Sequence, residues 1–226
     1  GESNTARGAQ YRKLFPAMIN EWRTAWGQGD IPFLFIQLPR FETKTRYWYE
    51  LREAQYLTSH HVKNTAMVVA FDQGKDIHPI VKDAVGWRLS QLALGKVYGK
   101  KVVCQGPEFK KMTKTADGSL LLDFANAGTG LVSKDNAATL SGFAVAGKDG
   151  KFYPAEAIIV GKNQVKVKNN LVTNPVDVRY LWVNSGDMNL FNKEGFPAVP
   201  FRTDKYRLAT EGVYVNPEPK ICRSSL

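Results

Sequence analysis

His78 is the side chain best suited to chemistry in this sequence. It lies in AFDQGKDIHPIVKDAVGWRLSQLAL (Ala70 to Leu94), with Asp76 two residues before it, Asp72 further upstream and Pro79 directly after. A histidine beside a carboxylate can serve as a general base, because the carboxylate fixes its tautomer and stabilises its charged form. The same spacing also suits a loop histidine ahead of a helix, with Asp76 in the N-cap region, and the two readings are compatible. A second cluster is GESN at Gly1 to Asn4. If a strand precedes it, its backbone N–H groups and the Asn4 side chain can face an oxyanion, and Ser3 has the chemistry of a nucleophile. Ser3 and Asn4 are equally good helix N-caps. Arg52 and Gln55 share a helix face and can reach carboxylates near a site, or form a structural pair on that surface. His60 and His61 fall at a helix end, where positive charge suits the dipole.

The elements that must position these residues change character near residue 100. Before it, helical and buried-strand patterns alternate. AQYRKLFPAMINEWRTAWG places Tyr11, Leu14, Met18, Trp22 and Trp26 on one helical face, with Pro16 expected to kink or restart the helix and Gly27 and Gly29 to end it. IPFLFIQLP and TAMVVAF read as buried strands of a parallel sheet, separated by the helical TRYWYELREAQYLTSHH. HPIVKDAVGWRLSQLALGKVYG reads as a closing helix with Pro79 in its first turn and Val81, Val85, Leu89 and Leu92 inward. Trp48, Trp87 and Trp182 are expected in the core. The second strand ends at Phe71, so Asp72, Asp76 and His78 occupy the loop at its carboxyl end, where ligands bind in open α/β sheets. Two strands cannot make such a sheet, so others must precede Gly1, come from elsewhere in the chain, or belong to another polypeptide.

From about Lys101 the period becomes two. GSLLLDFAN, LSGFAVAGKDGKFYP, AEAIIVGKNQVKVK and DVRYLWVN are strands separated by Asp-Gly and Gly-Lys-Asn turns, as in an antiparallel β-sandwich. The tail from LFNKEGFPAVPFRTDKY reads as ordered loop. The expected organisation is therefore a partial α/β unit over residues 1–100 and a β-sandwich with an irregular tail over 101–226.

Composition narrows the function. With 226 residues, 43% of them hydrophobic, the chain can bury a sizeable core. The net charge of +10 invites nucleic acid, but the lysines are spread as pairs and alternations such as GKK, FKKMTK and QVKVKNN, with no nucleic-acid motif beside them. Apolar runs are of strand length, so no membrane span is expected. GESNTARGAQYRKLF lacks the pattern of a signal peptide, which indicates a cytosolic start or a missing beginning. Cys104 and Cys222 have no metal-ligand spacing; they can pair as a disulfide or remain free thiols.

Taken in order, GESNT, PFLFIQL, LREAQ, DIHPIVKDAVGWRL, ALGKVYGK, GFAVAGKDGKFYPAEA, NPVDVRYLWVN and LFNKEGFPAVPFRTD resemble the sialate O-acetylesterase family, a branch of the SGNH-type serine esterases. The resemblance runs across nearly the whole chain. It implies hydrolysis of O-acetyl esters on sugars, foremost the 9-O-acetyl group of sialic acid, by a secreted, periplasmic or lysosomal enzyme that uses no metal or other cofactor. It implies His78 as base and Asp76 as its partner, with Gly1, Glu2 and Asn4 near the oxyanion hole and Arg52 on the substrate side. The family nucleophile lies in a Gly-Gln-Ser-Asn motif upstream of the GESN-like segment, and this sequence contains no such motif. Many SGNH enzymes also place two residues between the catalytic Asp and His, where Asp76 and His78 are separated by one; Asp72 is the fallback. The expectation is the C-terminal portion of an esterase whose serine lies outside these residues and whose partner is the N-terminal portion. Acetylxylan-type esterase and non-catalytic carbohydrate-binding module are the competing expectations.

Overall fold

The alternation of inward residues along two short strands organises the first half. The computed structural model describes residues 1–44, 46–76 and 78–214. Strand β1 (Phe33–Ile36) pairs in parallel with β2 (Thr65–Val68), Phe33 opposite Thr65 and Ile36 opposite Val68. Phe35, Met67, Val69 and Phe71 share a cluster with Tyr11, Phe15 and Ile19 of helix α1 (Gly8–Trp26) and Leu51 and Ala54 of helix α2 (Trp48–His61). Ala66, Val68 and Ala70 instead meet Val85 and Leu92 of helix α3 (Asp83–Lys96) on the opposite face. Helices thus cover both faces of the sheet, which is why β2 and its continuation to Phe71 are apolar without interruption.

The helices differ from expectation in three respects. Helix α1 runs through Pro16 as one piece, its turns held by the packing of Phe15 and Ile19. Its buried face is Tyr11, Phe15, Ile19 and Arg23 rather than the stripe ending in Trp22 and Trp26, which are 48% and 61% exposed. Arg23 is buried because its guanidinium donates to the carbonyls of Ile31 (2.8 Å) and Lys63 (2.9 Å), stitching the end of α1 to the starts of both strands. Helix α3 begins at Asp83, not at Pro79, and Val81 is exposed; Asp83 in the first turn suits the helix dipole. Among the tryptophans expected inside, Trp48 is buried, whereas Trp182 is partly buried and Trp87 substantially exposed. At Gly8 the helices α1 and α2 approach so closely that a Cβ would lie 2.8 Å from that of Glu50.

Beyond residue 100 the strands are β3 (Glu108–Lys114), β4 (Leu120–Ala125), β5 (Leu131–Ser133), β6 (Phe143–Ala146), β7 (Phe152–Pro154), β8 (Glu156–Gly161), β9 (Gln164–Lys168), β10 (Asp177–Tyr180), β11 (Leu190–Asn192) and β12 (Phe201–Arg202). They form two four-stranded antiparallel sheets, ordered β3-β4-β9-β8 and β12-β10-β6-β7, and a two-stranded ribbon of β5 and β11. The inner residues of both sheets, among them Leu122, Phe124, Val145, Val165 and Tyr180, join the cluster that holds Tyr11 and Phe15. One core therefore runs through both halves.

The tail reinforces that union. Buried Glu50 accepts hydrogen bonds from the backbone N–H of Ala209 (2.7 Å) and from the N–H (3.1 Å) and hydroxyl (2.5 Å) of Thr210, and Thr210 in turn accepts from the Ala9 N–H (2.8 Å). Glu53 binds both Arg12 and Arg202, and Arg202 and Arg179 converge on fully buried Asp204. Burial alone would raise the Asp204 pKa; the hydrogen bond and charge of Arg179, with the charge of Arg202, hold it below the ordinary carboxylate range.

One edge of the parallel sheet is open. Phe33 and Gln37 donate their N–H groups to Asn64 and Val68, so by the alternation of a strand Leu34 and Ile36 turn theirs away from β2. The Gln55 side chain closes the end of that edge. Its Oε1 accepts from the Leu38 N–H (2.9 Å) and its Nε2 donates to the Ile36 carbonyl (3.3 Å), reproducing the two bonds a neighbouring parallel strand would make. Ile36 itself is 41% exposed.

Candidate active site

The loops leaving the carboxyl ends of β1 and β2 lie side by side. Arg40, after β1, donates Nε–H to the Gly74 carbonyl after β2 (2.9 Å). At the same end Tyr47 donates its N–H to the Thr5 carbonyl (3.2 Å) and Arg46 reaches the Glu2 carbonyl (3.5 Å), which sets the 3-10 turn Glu2–Arg7 against the start of α2. The GESN segment, the loop after β1 and the loop carrying His78 are thus gathered at one end of the sheet, where the strand geometry of open α/β folds places ligands.

Within this end the candidate residues have distinct states. His78 is exposed, and its backbone N–H donates to Asp76 Oδ1 at 3.0 Å. Asp76 therefore engages the backbone of His78 as an Asx turn, not the imidazole; Ile77 between them lies outside the described residues. Asp72 is different. Its two oxygens are held by Arg88 Nη1 and Nη2, both at 2.7 Å, with Gln73 donating at 2.8 Å, and Arg88 also donates to the Val69 carbonyl (2.8 Å). Both side chains of that pair are almost wholly buried. Asp72 is committed to fastening α3 to the end of β2, with Lys134 3.8 Å from its Oδ2, and among the described residues no histidine bonds to it.

Asn4 accepts from Arg7 Nη2 at 2.7 Å and uses its own N–H in the turn to Gly1, leaving its side-chain Nδ2 donor without a partner among the described residues. The Glu2 carboxylate is partly exposed and accepts only weakly from the Ser3 hydroxyl (3.3 Å). Gly1 packs against Tyr11 and Leu51.

Arg52 departs from the sequence reading. Rather than pairing with a carboxylate, it is buried at 1% exposure, lies 4.8 Å over the Phe71 ring, and donates to the carbonyls of Pro39 (3.3 Å) and Val183. Full burial pushes its guanidinium down to about 9, still charged at neutral pH. It acts on backbone, joining the end of β1 to the segment after β10.

That segment, Val183 to Asp187, carries residues the sequence reading did not select. With the loop after β1 and Lys75 it borders an open cleft of about 560 Å³. The turn-forming Asn-Ser-Gly-Asp run was visible, but nothing in a single sequence indicates that it reaches across to another sheet. Among the described residues no group of three or more His, Cys, Asp or Glu side chains could hold a metal ion, and no helix is long and apolar enough to cross a membrane. Cys104 is a free thiol, and Cys222 lies outside the described residues.

With this geometry in place, comparison with solved structures is decisive at a coarse level. The chain is similar to a carbohydrate acetylesterase. That enzyme, from Xanthomonas citri, matches with a TM-score of 0.81 and 36% identity, over 91% of this chain and 49% of the enzyme. This chain thus spans about half the length of its neighbour. No protein-family model matches it, and no curated protein matches it.

Proposed function

We propose that this chain is the C-terminal portion of a carbohydrate O-acetylesterase of the SGNH type, completed by an N-terminal portion that carries the nucleophilic serine. The observation that carries this reading is the similarity to a carbohydrate acetylesterase over 91% of the chain. The open edge of β1 and the exposed Ile36 on it give the sheet a place to accept a further parallel strand.

In this reading the serine hydroxyl attacks the acetyl carbonyl and His78 takes its proton, then returns it to the departing sugar hydroxyl. Water, deprotonated by His78, hydrolyses the acetyl-enzyme to acetate. Since Asp72 is engaged by Arg88, Asp76 is the carboxylate assigned to the imidazole, reached by rotation of its side chain from the Asx turn. Gly1, Glu2 and Asn4 border the oxyanion site, with the unpartnered Asn4 amide as donor. Arg52 shapes this end from beneath. The chemistry requires no metal or cofactor, and the compartment is secreted, periplasmic or lysosomal.

The 9-O-acetyl group of sialic acid is the proposed substrate. The test is acetate release by the full-length protein from 9-O-acetylated sialic acid and from acetylated xylo-oligosaccharides. Faster turnover of the former supports the sialate reading; preference for the latter moves the enzyme to acetylxylan, and no release from either rejects the esterase.

A further inference from the structure

We infer that Asn184, on the β-sheet half of the molecule, is the positioning residue that sets the loop after β1 as one rim of the sugar-binding cleft. This inference rests on the esterase reading above and adds to it the residue that controls recognition of the sugar.

Residues 37–44 and 46–47 leave the carboxyl end of β1 without regular structure, so their backbone polar groups need partners from elsewhere. The segment after β10 supplies them. The Asn184 carbonyl accepts from the Phe41 N–H (3.1 Å). Its side chain uses both donors and its acceptor on the same loop: Nδ2 donates to the carbonyls of Thr43 (2.8 Å) and Arg46 (2.7 Å), and Oδ1 accepts from the Trp48 N–H (2.9 Å). The last bond is a helix cap delivered across the molecule, because Tyr47, at the N-cap of α2, provides no side-chain acceptor. Arg40 and Arg52 flank the contact, donating to the carbonyls of Gly186 (2.6 Å) and Val183.

Only the amides of asparagine and glutamine carry two N–H donors and an acceptor on one carbon, and glutamine sets them one methylene further out. Aspartate keeps an acceptor for Trp48 but sets a carboxylate oxygen against two carbonyls; alanine removes all three side-chain bonds and leaves only the backbone bond to Phe41.

The loop so held forms one wall of the cleft of about 560 Å³, through Glu42 and Lys44, opposite Ser185 and Asp187. Lys75, three residues before His78, also lines it. Among the described residues the lining contains no aromatic ring, so a sugar seated here is recognised by hydrogen bonds from its hydroxyls rather than by stacking. Asn184 therefore acts on how tightly the sugar is held, not on the ester bond, and its loss separates the two.

The test uses full-length protein with Asn184→Ala, Asn184→Asp and, as a change at an exposed rim residue that spares the fold, Lys44→Ala. Each is assayed on the acetylated sugar and on 4-nitrophenyl acetate, which has no sugar to position. KM for the sugar is expected to rise about tenfold in Asn184→Ala and further in Asn184→Asp, a few-fold in Lys44→Ala, with kcat on 4-nitrophenyl acetate within about twofold of wild type. Hydrogen exchange of the Trp48 amide should quicken about tenfold in Asn184→Ala. An unchanged KM for the sugar, or equal losses on both substrates, overturns the inference. If wild-type protein hydrolyses neither ester, the esterase reading has failed, and Trp48 exchange decides the positioning role alone: an unchanged rate in Asn184→Ala rejects it.

Discussion

Two loops leave the same end of the parallel sheet and are held in opposite ways. The loop after β1 is fastened along its length by Arg40, Arg52 and Asn184, each of these contacts joining the sheet end to the segment after β10 in the β-sheet half. The loop after β2 is fastened at its root by the buried pair of Asp72 and Arg88, with Lys134 3.8 Å from Asp72, and is touched further along, at Gly74, by Arg40. Beyond that point Asp76 and His78 are exposed, and the bond between them joins the Asp76 carboxylate to the His78 backbone N–H, leaving the imidazole out of it. On the proposed reading the difference fits two roles. A rim that recognises a sugar gains from rigidity, since ordering it in advance removes that cost from binding. A base that must meet a serine supplied by another segment needs an exposed ring, and its fixed part is only the root.

The largest effect that would sharpen this contrast is His78→Ala in the full-length protein. Ester hydrolysis should fall by about ten-thousand-fold, while the thermal midpoint stays within a degree or two, because an exposed loop side chain contributes little to stability, within about 0.5 kcal/mol. Loss of folding instead of turnover would make His78 a structural residue and break the contrast.

The next effect runs the other way. Arg88→Met leaves Asp72 buried without its counter-charge and should cost about 3 to 5 kcal/mol of stability, seen as a thermal midpoint lower by roughly 10 °C. The loop root is then the point of failure. A midpoint unchanged within error would show that α3 is held to β2 by apolar packing alone.

The smallest effect concerns the far side, where Arg179 and Arg202 converge on Asp204. Its carboxyl is held below the ordinary range, so the paired form stabilises the fold at neutral pH, and that stability is lost as pH falls below about 4 towards the folded-state value. Asp204→Asn should flatten this acid limb in thermal melts between pH 2 and pH 5. If the limb is as steep as in wild type, other carboxylates carry the acid sensitivity.

Much of the architecture was legible because it is written in local periodicity. The two buried strands, the three helices and the hairpins at Gly147 to Lys151 and Gly161 to Asn163 follow from apolar runs and turn residues. Where the reading slipped, two signals competed. Helix α1 carries two apolar stripes, and aromatic weight favoured Trp22 and Trp26 over Phe15 and Ile19, although Phe15 and Ile19 are buried in the core whereas Trp22, its ring 6.0 Å from that of Phe33, stays 48% exposed. Strand β3 hid behind the lysines of FKKMTK, which point to solvent along a sheet edge.

The candidate site was legible only in part. His78 and Asp76 stand out by type and spacing, but the partners that decide each carboxylate's role are distant: Arg88 lies a helix away from Asp72, and Asn184 binds Trp48 from 136 residues along the chain. Such pairings are properties of the tertiary fold, and one sequence carries no mark of them.

The central claim is that His78 serves a serine carried outside these residues. It is tested most directly by a crystal structure of the full-length protein after reaction with a phosphonate that labels nucleophilic serines. The account predicts a labelled serine in a segment packed at the open edge of β1, with its oxygen about 2.6 to 3.2 Å from an imidazole nitrogen of His78. A labelled serine served by another histidine, with His78 still pointing to solvent, would contradict it.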